Sequence, residues 1–243
     1  MTENALVYAV DGNEKYVDCM VNSINSFCAT NPSLVESTPI FVLAKSQISL
    51  NGIDKRVKPQ VISSLSCDYS KIKHMDEYGF KRFGGEACFY KFEIFKNKAF
   101  RKFDNVLYLD CDTEFKKPIG ELFQDKTVPG IYLVEENESM LEIPLKHYWN
   151  SGIILATVKS LKKSLLNEFF GELIRTAKKF PERYVDQDAM NRVLDQDKFS
   201  SLVLPMGPEY NLLPGTTRKP FSGCKIKHYA GTNAKYRRRY LKK

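Results

Sequence analysis

The sequence predicts an α/β fold with a mostly parallel central sheet flanked by helices. Short apolar runs recur at Ala5–Val10, Pro39–Ala44, Val106–Leu109, Ile131–Val134 and Ile153–Ala156, each closed by polar or turn residues. Runs of that length and composition read as strands buried on both faces, the habit of parallel sheets. The stretches between several of them carry apolar residues at helical spacing, which supplies the layers on either side. One strand, within Asn105–Thr113, runs straight into Asp110 and Asp112. In open α/β sheets, ligands bind outside the carboxyl ends of the strands, so that end is the expected site.

Ala5–Val10 is the first strand, and Asp11-Gly12-Asn13 the turn after it. Tyr16, Met20, Ile24 and Phe27 form a helical stripe between Glu14 and about Phe27. Pro39–Ala44 and Gln60–Ile62 follow as strands, giving a β-α-β-β beginning. From Ser63 to Gly85 the pattern breaks down into polar and aromatic residues, read as a lid over a site, with an ordinary surface excursion as the plain alternative. Phe89, Phe92, Phe95 and Ala99 restore helical spacing over Glu86–Phe100, ahead of the strand that ends in the aspartates. A turn and short helix at 117–123 precede the strand Ile131–Val134, and Tyr148–Gly152 is a turn feeding Ile153–Ala156. Leu165, Leu166, Phe169, Phe170, Leu173, Ile174 and Ala177 mark the clearest amphipathic helix, its stripe read as core. Pro181 ends it, Val185–Asp188 opens the next helix to Leu194, and Leu202–Leu204 and Lys225–His228 are late strands.

Composition narrows the function classes. At 243 residues the chain is large enough for a sizeable core, with apolar and charged fractions ordinary for a globular enzyme. The net charge of +8 suggests nucleic acid until it is located: Lys235, Arg237, Arg238, Arg239, Lys242 and Lys243 supply six of those charges, leaving about +2 for the rest. A nearly neutral body argues against a nucleic-acid-binding fold. Six scattered cysteines without Cys-x-x-Cys spacing, and the absence of a signal-like start or a membrane-length apolar run, point to a cytoplasmic protein with reduced thiols. The basic tail mixes cations with aromatic and apolar residues, a composition suited to an anionic membrane surface and equally to a solvated terminus.

Asp-x-Asp occurs three times, at Asp110/Asp112, Asp186/Asp188 and Asp195/Asp197, and only the first pair follows a buried-strand pattern. Paired carboxylates there suit Mg²⁺ or Mn²⁺ carrying a substrate phosphate; the plain alternative is a polar turn with the side chains capping amides. His228 lies just past a short strand and would complete a site better suited to Mn²⁺, since imidazole nitrogen is a softer donor. Its alternative is a structural histidine. His74 and His147 have no such context. Asp186-Gln187-Asp188 at a helix start reads equally as capping, Asn150 as a turn residue and Lys91 as a solvated charge.

Taken together and in order, these stretches resemble family 8 glycosyltransferases, the glycogenin and bacterial lipopolysaccharide galactosyltransferase group. The resemblance rests on Tyr8–Asn13 with Tyr16, Phe89–Lys91, Val106–Asp112, Trp149–Leu155, Asp186–Asn191 and His228–Gly231. It implies one GT-A domain, Rossmann-like, over residues 1–231, with a nucleotide-binding half to about 115, a sugar and acceptor half over 116–231, and 232–243 as a basic tail. By position, Ala9, Asp11 and Asn13 would contact the base and ribose of a UDP-sugar and Tyr16 would stack on uracil. Lys91 and Cys111 would line the donor site. Asp110, Asp112 and His228 would hold Mn²⁺, or Mg²⁺. Asn150, Asp186 and Gln187 would serve the sugar and the transfer, and Gly231 and Lys235 the phosphates. Lys235 stands one residue from the family's usual lysine and lacks the Pro-Trp after it, and Gly12 replaces a commonly polar residue. The implied activity is metal-dependent, configuration-retaining transfer of a hexose or related sugar to a glycan, glycolipid or protein-linked acceptor.

Two readings from other classes compete. A haloacid-dehalogenase-type phosphohydrolase also places Asp-x-Asp after a buried strand, but wants Thr or Val where Glu114 stands, and its pair does not lie mid-chain. An idle nucleotide- or glycan-binding module would keep the fold without needing both aspartates and His228. A nucleotidyltransferase would want a Gly-rich phosphate loop at the first strand, which is missing.

Overall fold

The computed structural model describes residues 3–72, 86–124, 128–136, 145–180, 185–213 and 222–229. Residues 73–85 of the expected lid, Gly231, Lys235 and the basic tail lie outside that set, as does His74. Strands run over Asn4–Ala9 (β1), Ile40–Leu43 (β2), Gln60–Ile62 (β3), Asn105–Leu109 (β4), Thr113–Phe115 (β5), Ile131–Leu133 (β6), Ile153–Ala156 (β7), Val203–Pro205 (β8) and Ile226–His228 (β9). The longer helices are Glu14–Thr30 (α1), Lys163–Lys179 (α4) and Val185–Leu194 (α5), with short ones at Ala87–Tyr90 (α2), Glu93–Lys96 (α3) and Asp197–Ser200 (α6).

Seven strands form one sheet in the order β3-β2-β1-β4-β7-β6-β8, in which β7 alone runs against its neighbours. The sheet is therefore mostly parallel, as expected. Alternate residues of the central strands feed two separate cores. Val7, Ala9, Val106 and Tyr108 face a layer holding α4, α5 and the Phe89–Phe95 segment, whereas Leu6, Tyr8, Leu107 and Leu109 face α1. This double burial is why β1, β2, β4 and β7 were legible as unbroken apolar runs.

The chain leaves β1 towards β2 on one side and returns to β4 on the other. Such a reversal opens a crevice at the carboxyl ends of β1 and β4, and both Asp11 and Asp110 emerge there. The helix expected over 86–100 is interrupted. Lys91 and Phe92 keep helical backbone angles, but Phe92 and Phe95 hydrogen-bond three residues back, which tightens the turn between α2 and α3. Two charged side chains, Lys91 and Glu93, are buried on this segment. Glu93 accepts from the Ser66 amide at 2.7 Å, the Ser66 hydroxyl at 2.8 Å, Tyr69 at 2.7 Å and Asn97 at 3.1 Å. It anchors the start of the 63–85 segment to the body.

β9 falls within the strand expected over Lys225–His228, whereas β5 has no counterpart in the sequence pattern. They form a separate antiparallel pair with Thr113 opposite His228. All six cysteines are free thiols, in keeping with their scatter. Among the described residues no helix is long and apolar enough to cross a membrane.

Candidate active site

The backbone alone explains why Asp110, Asp112 and His228 meet. β4 delivers Asp110, and β5 begins immediately after Asp112. The ladder to β9 sets His228 opposite Thr113, and the Tyr229 amide donates to Asp112 O at 2.8 Å. One ligand atom from each of the three side chains falls within 4.8 Å of the others. His228 Nε2 stands 3.5 Å from Asp110 Oδ2 and 3.5 Å from Asp112 Oδ1. That nitrogen is buried, and the two carboxylates are its nearest polar partners, at the long end of hydrogen-bond range. A buried nitrogen facing two carboxylates across such a gap suits a divalent cation, and one imidazole with carboxylate oxygens matches the donor set that Mn²⁺ accepts. In the cation-free protein, a proton on that nitrogen would face the same two carboxylates.

Charge at this corner is tightly balanced. Burial disfavours ionised Asp110, but the Lys91 ammonium and His228 outweigh it and hold the carboxyl at about 2. Burial likewise opposes His228⁺, yet hydrogen bonds and charge from Asp110 and Asp112 raise it to about 9. In the cation-free protein the raised histidine stabilises the fold fully below its unfolded value of 6.5 and loses that contribution as pH climbs through about 9. A cation must displace the same proton. Apparent Mn²⁺ affinity is therefore expected to rise about tenfold per pH unit up to about 9 and then level off, with about one proton released per ion near pH 7. Calorimetry in buffers of different ionisation enthalpy reads that proton directly.

Lys91 is 2% exposed, so the solvated-charge alternative fails. Its Nζ donates to Asp186 Oδ2 at 2.7 Å and to Ser151 Oγ at 3.1 Å, and stands 3.3 Å from Asp110 Oδ1. It thus ties β4 to the first turn of α5. Burial opposes its charge, but Asp110 and Asp186 together keep its pKa above the ordinary lysine value. Three consecutive side chains of that turn go three ways. Asp186 takes Lys91, Gln187 accepts the Ser151 amide at 2.9 Å, and Asp188 accepts Tyr148 at 2.6 Å. This Asp-x-Asp pair holds structure together; its carboxylates do not converge.

The turn before β7 is clamped at every residue. Asn191 accepts the Trp149 amide at 2.6 Å and donates back to Trp149 O at 2.8 Å. Asn150 accepts from Gly152 N at 2.8 Å and donates to Glu136 Oε1 at 2.7 Å. Glu136 also accepts from Gln187 Nε2 at 2.9 Å. Gln187 is therefore fixed at both ends of its amide, and Glu136 bridges it to Asn150. Neither Glu136 nor Asn211, which donates to Asn150 at 2.8 Å, was singled out from the sequence; both are polar residues outside any motif.

At the other end of the crevice, Asp11 accepts the Asn13 amide at 3.0 Å and Asn13 caps α1 through Lys15 N at 3.1 Å. Gly12 sits at φ +86°, a backbone region that favours glycine. Asp11 and Asn13 are exposed and Tyr16 is half-buried, while Ala9 accepts the Cys111 thiol at 3.0 Å, joining the ends of β1 and β4. His147 is a surface residue paired with Glu135 at 2.7 Å.

The model of the glycosyl transferase family 8 matches residues 7–236. Among solved structures, the galactosyltransferase LgtC in complex with donor and acceptor sugar analogues is similar with a TM-score of 0.67 at 16% identity, over 98% of this chain and 95% of that one. Mouse xyloside xylosyltransferase 1 follows with 0.63 at 14%, over 97% and 99%. The glycosyltransferase GlyE of Streptococcus pneumoniae TIGR4 gives 0.65 at 16%, over 99% of this chain and 60% of that one. No curated protein matches the sequence. At these identities the structures establish the shared GT-A fold, and the match along nearly the whole sequence establishes that the chain belongs to glycosyl transferase family 8.

Proposed function

We propose that this glycosyltransferase is Mn²⁺-dependent and retaining, and moves a hexose or related sugar from a UDP-sugar to a glycan, glycolipid or protein-linked acceptor. The observation that carries the reading is the convergence of Asp110, Asp112 and the buried Nε2 of His228 within 4.8 Å at the carboxyl ends of β1 and β4. On this reading Asp110, Asp112 and His228 hold the cation, with Mg²⁺ as the alternative ion. Ala9, Asp11, Asn13 and Tyr16 receive the uridine, and Cys111 contributes to the wall between uridine and metal. Gly231 and Lys235 serve the phosphates. The first half of the chain, to about residue 115, binds nucleotide and the second half, to 231, binds sugar and acceptor. The basic tail suits contact with an anionic membrane on the cytoplasmic face.

When bound, the cation stabilises the negative charge that grows on the diphosphate as the anomeric bond breaks. Asn150 and Asp186 orient the sugar, and Lys91 holds Asp186 in place. Gln187 lies close to the anomeric carbon, but its amide oxygen is weakly basic and already accepts a backbone N–H. That favours attack by the acceptor on the face the diphosphate leaves. The acceptor oxygen bonds to the anomeric carbon, the bond to the phosphate oxygen breaks with its electron pair, and that oxygen takes the acceptor's proton. Configuration is kept.

A panel of UDP-sugars with and without Mn²⁺, scored for UDP release, tests the reading. One or two donors are expected to turn over, and only with the metal. Phosphatase activity on small phosphoesters, with no response to any UDP-sugar, would refute it.

A further inference from the structure

Four side chains form an unbroken line from the sugar side of the site to the cation side, and its hydrogen-bonding polarity has one solution. The starting point is a backbone amide, which can only donate. Gly152 N points at one atom of the Asn150 amide at 2.8 Å, so that atom is Oδ1. The other atom, Nδ2, then donates to Glu136 Oε1 at 2.7 Å, an acceptor-only partner. Asn150 Oδ1 also receives Asn211 Nδ2 at 2.8 Å. Asn211 consequently turns its own oxygen towards His228 Nδ1, 3.0 Å away. Turning Asn150 over would set donor against donor at Gly152 and oxygen against oxygen at Glu136, and turning Asn211 over would set its oxygen against Asn150 Oδ1. Nδ1 of His228 therefore carries a proton, and a neutral ring leaves its lone pair on Nε2, aimed between Asp110 and Asp112.

We propose that Asn211 is the positioning residue that fixes His228 as an Nδ1-protonated ligand, and that it does so through Asn150, so one amide line governs both cation and donor sugar. The inference rests on the reading of Asp110, Asp112 and His228 as a cation site. Metal-ligating histidines depend on the partner of their other nitrogen, and losing it typically costs about 10–100-fold in metal affinity. Here that partner is an amide whose orientation is dictated from the sugar side. Asn211 is 5% exposed and Asn150 4%, so water does not readily substitute in the line.

Two variants separate the arms. Asn211→Ala is expected to weaken Mn²⁺ binding in the presence of UDP about 10–100-fold, read by electron paramagnetic resonance. Asn211→Asp keeps an acceptor for Nδ1–H but sets oxygen against Asn150 Oδ1. Its Mn²⁺–UDP affinity should stay within about threefold of wild type while KM for the UDP-sugar rises several-fold. In the metal-free protein, the Nδ1 proton of His228 should give a slowly exchanging downfield NMR resonance, present in the wild type and Asn211→Asp and lost in Asn211→Ala. Unchanged Mn²⁺ affinity in Asn211→Ala would overturn the proposal. So would equal loss in both variants. If Asn211→Ala does not fold, the wild-type resonance and Asn211→Asp still decide: absence of the one, or lost metal binding in the other, refutes it. Wild-type protein that fails to bind Mn²⁺ with UDP defeats the cation reading instead, and the resonance still reports on the Asn211–His228 bond.

Discussion

Gly152→Ala is expected to abolish Mn²⁺ binding and to lower turnover by on the order of 10²–10³-fold while the fold survives. The backbone at this position is ordinary, since among the described glycines positive φ is confined to Gly12 and Gly52. Space is what forbids a side chain. A Cβ would run into His228 Cε1 and come within 2.7 Å of its Nδ1 and 2.8 Å of Asp110 Oδ2. These are the groups proposed to hold the cation, and the strand behind them is tied in place because Asp110 N donates to Gly152 O at 2.7 Å. The ring must swing away, taking Nε2 out of line with the carboxylates. Asp112→Asn provides the comparison, since it removes a ligand without filling space. If Gly152→Ala shows wild-type Mn²⁺ affinity by paramagnetic resonance, the ring and carboxylates make room for a methyl group and the steric argument fails.

Lys91→Met is expected to cost about 3–5 kcal/mol of stability, because it leaves Asp110 and Asp186 without their shared cation inside the protein. For a chain of this size that corresponds to a thermal midpoint lower by roughly 10 °C. The pH dependence gives the claim a sign. Asp110 is held at about 2, so its stabilising contribution is fully present above the unfolded carboxyl range and fades as pH falls through about 2. Loss of Lys91 removes that contribution, so the gap between variant and wild type should be widest near neutrality and close towards pH 2. Mn²⁺ should raise the variant's midpoint more than the wild type's, since a cation beside Asp110 partly replaces the missing ammonium. A gap that stays constant with pH would mean that the lysine acts through packing alone.

How much could be read beforehand varies with the physics of each part. β1, β2, β4 and β7 are buried on both faces, so burial itself wrote them as apolar runs. β5 is Thr-Glu-Phe, with a half-buried glutamate at its centre, and it exists because β9 pairs with it. Local pattern carries no record of such a partner. The helix before β4 was legible as a stripe of phenylalanines, but neither its tightening around Lys91 nor the burial of that lysine was. Asp110 and Asp112 stood out by context, and His228 by resemblance as much as by its own strand. Glu136 and Asn211 were invisible because a polar residue in a loop is unremarkable until its neighbours are known. Gly152 was quoted within a motif, but its necessity is a matter of empty volume, which no sequence pattern reports.

The ladder between β5 and β9 has one more consequence. It is a join made late: Tyr229 bonds Glu114 across 115 positions of chain, and His228 arrives by the same route. A chain still emerging from the ribosome, or one clipped after β8, already holds both aspartates but has no imidazole to set beside them. Contacts of such long sequence separation are closed at high entropic cost and form slowly. On the proposed reading, competence to hold the cation is thereby tied to synthesis of β9, and a chain that stops short of it lacks the third ligand.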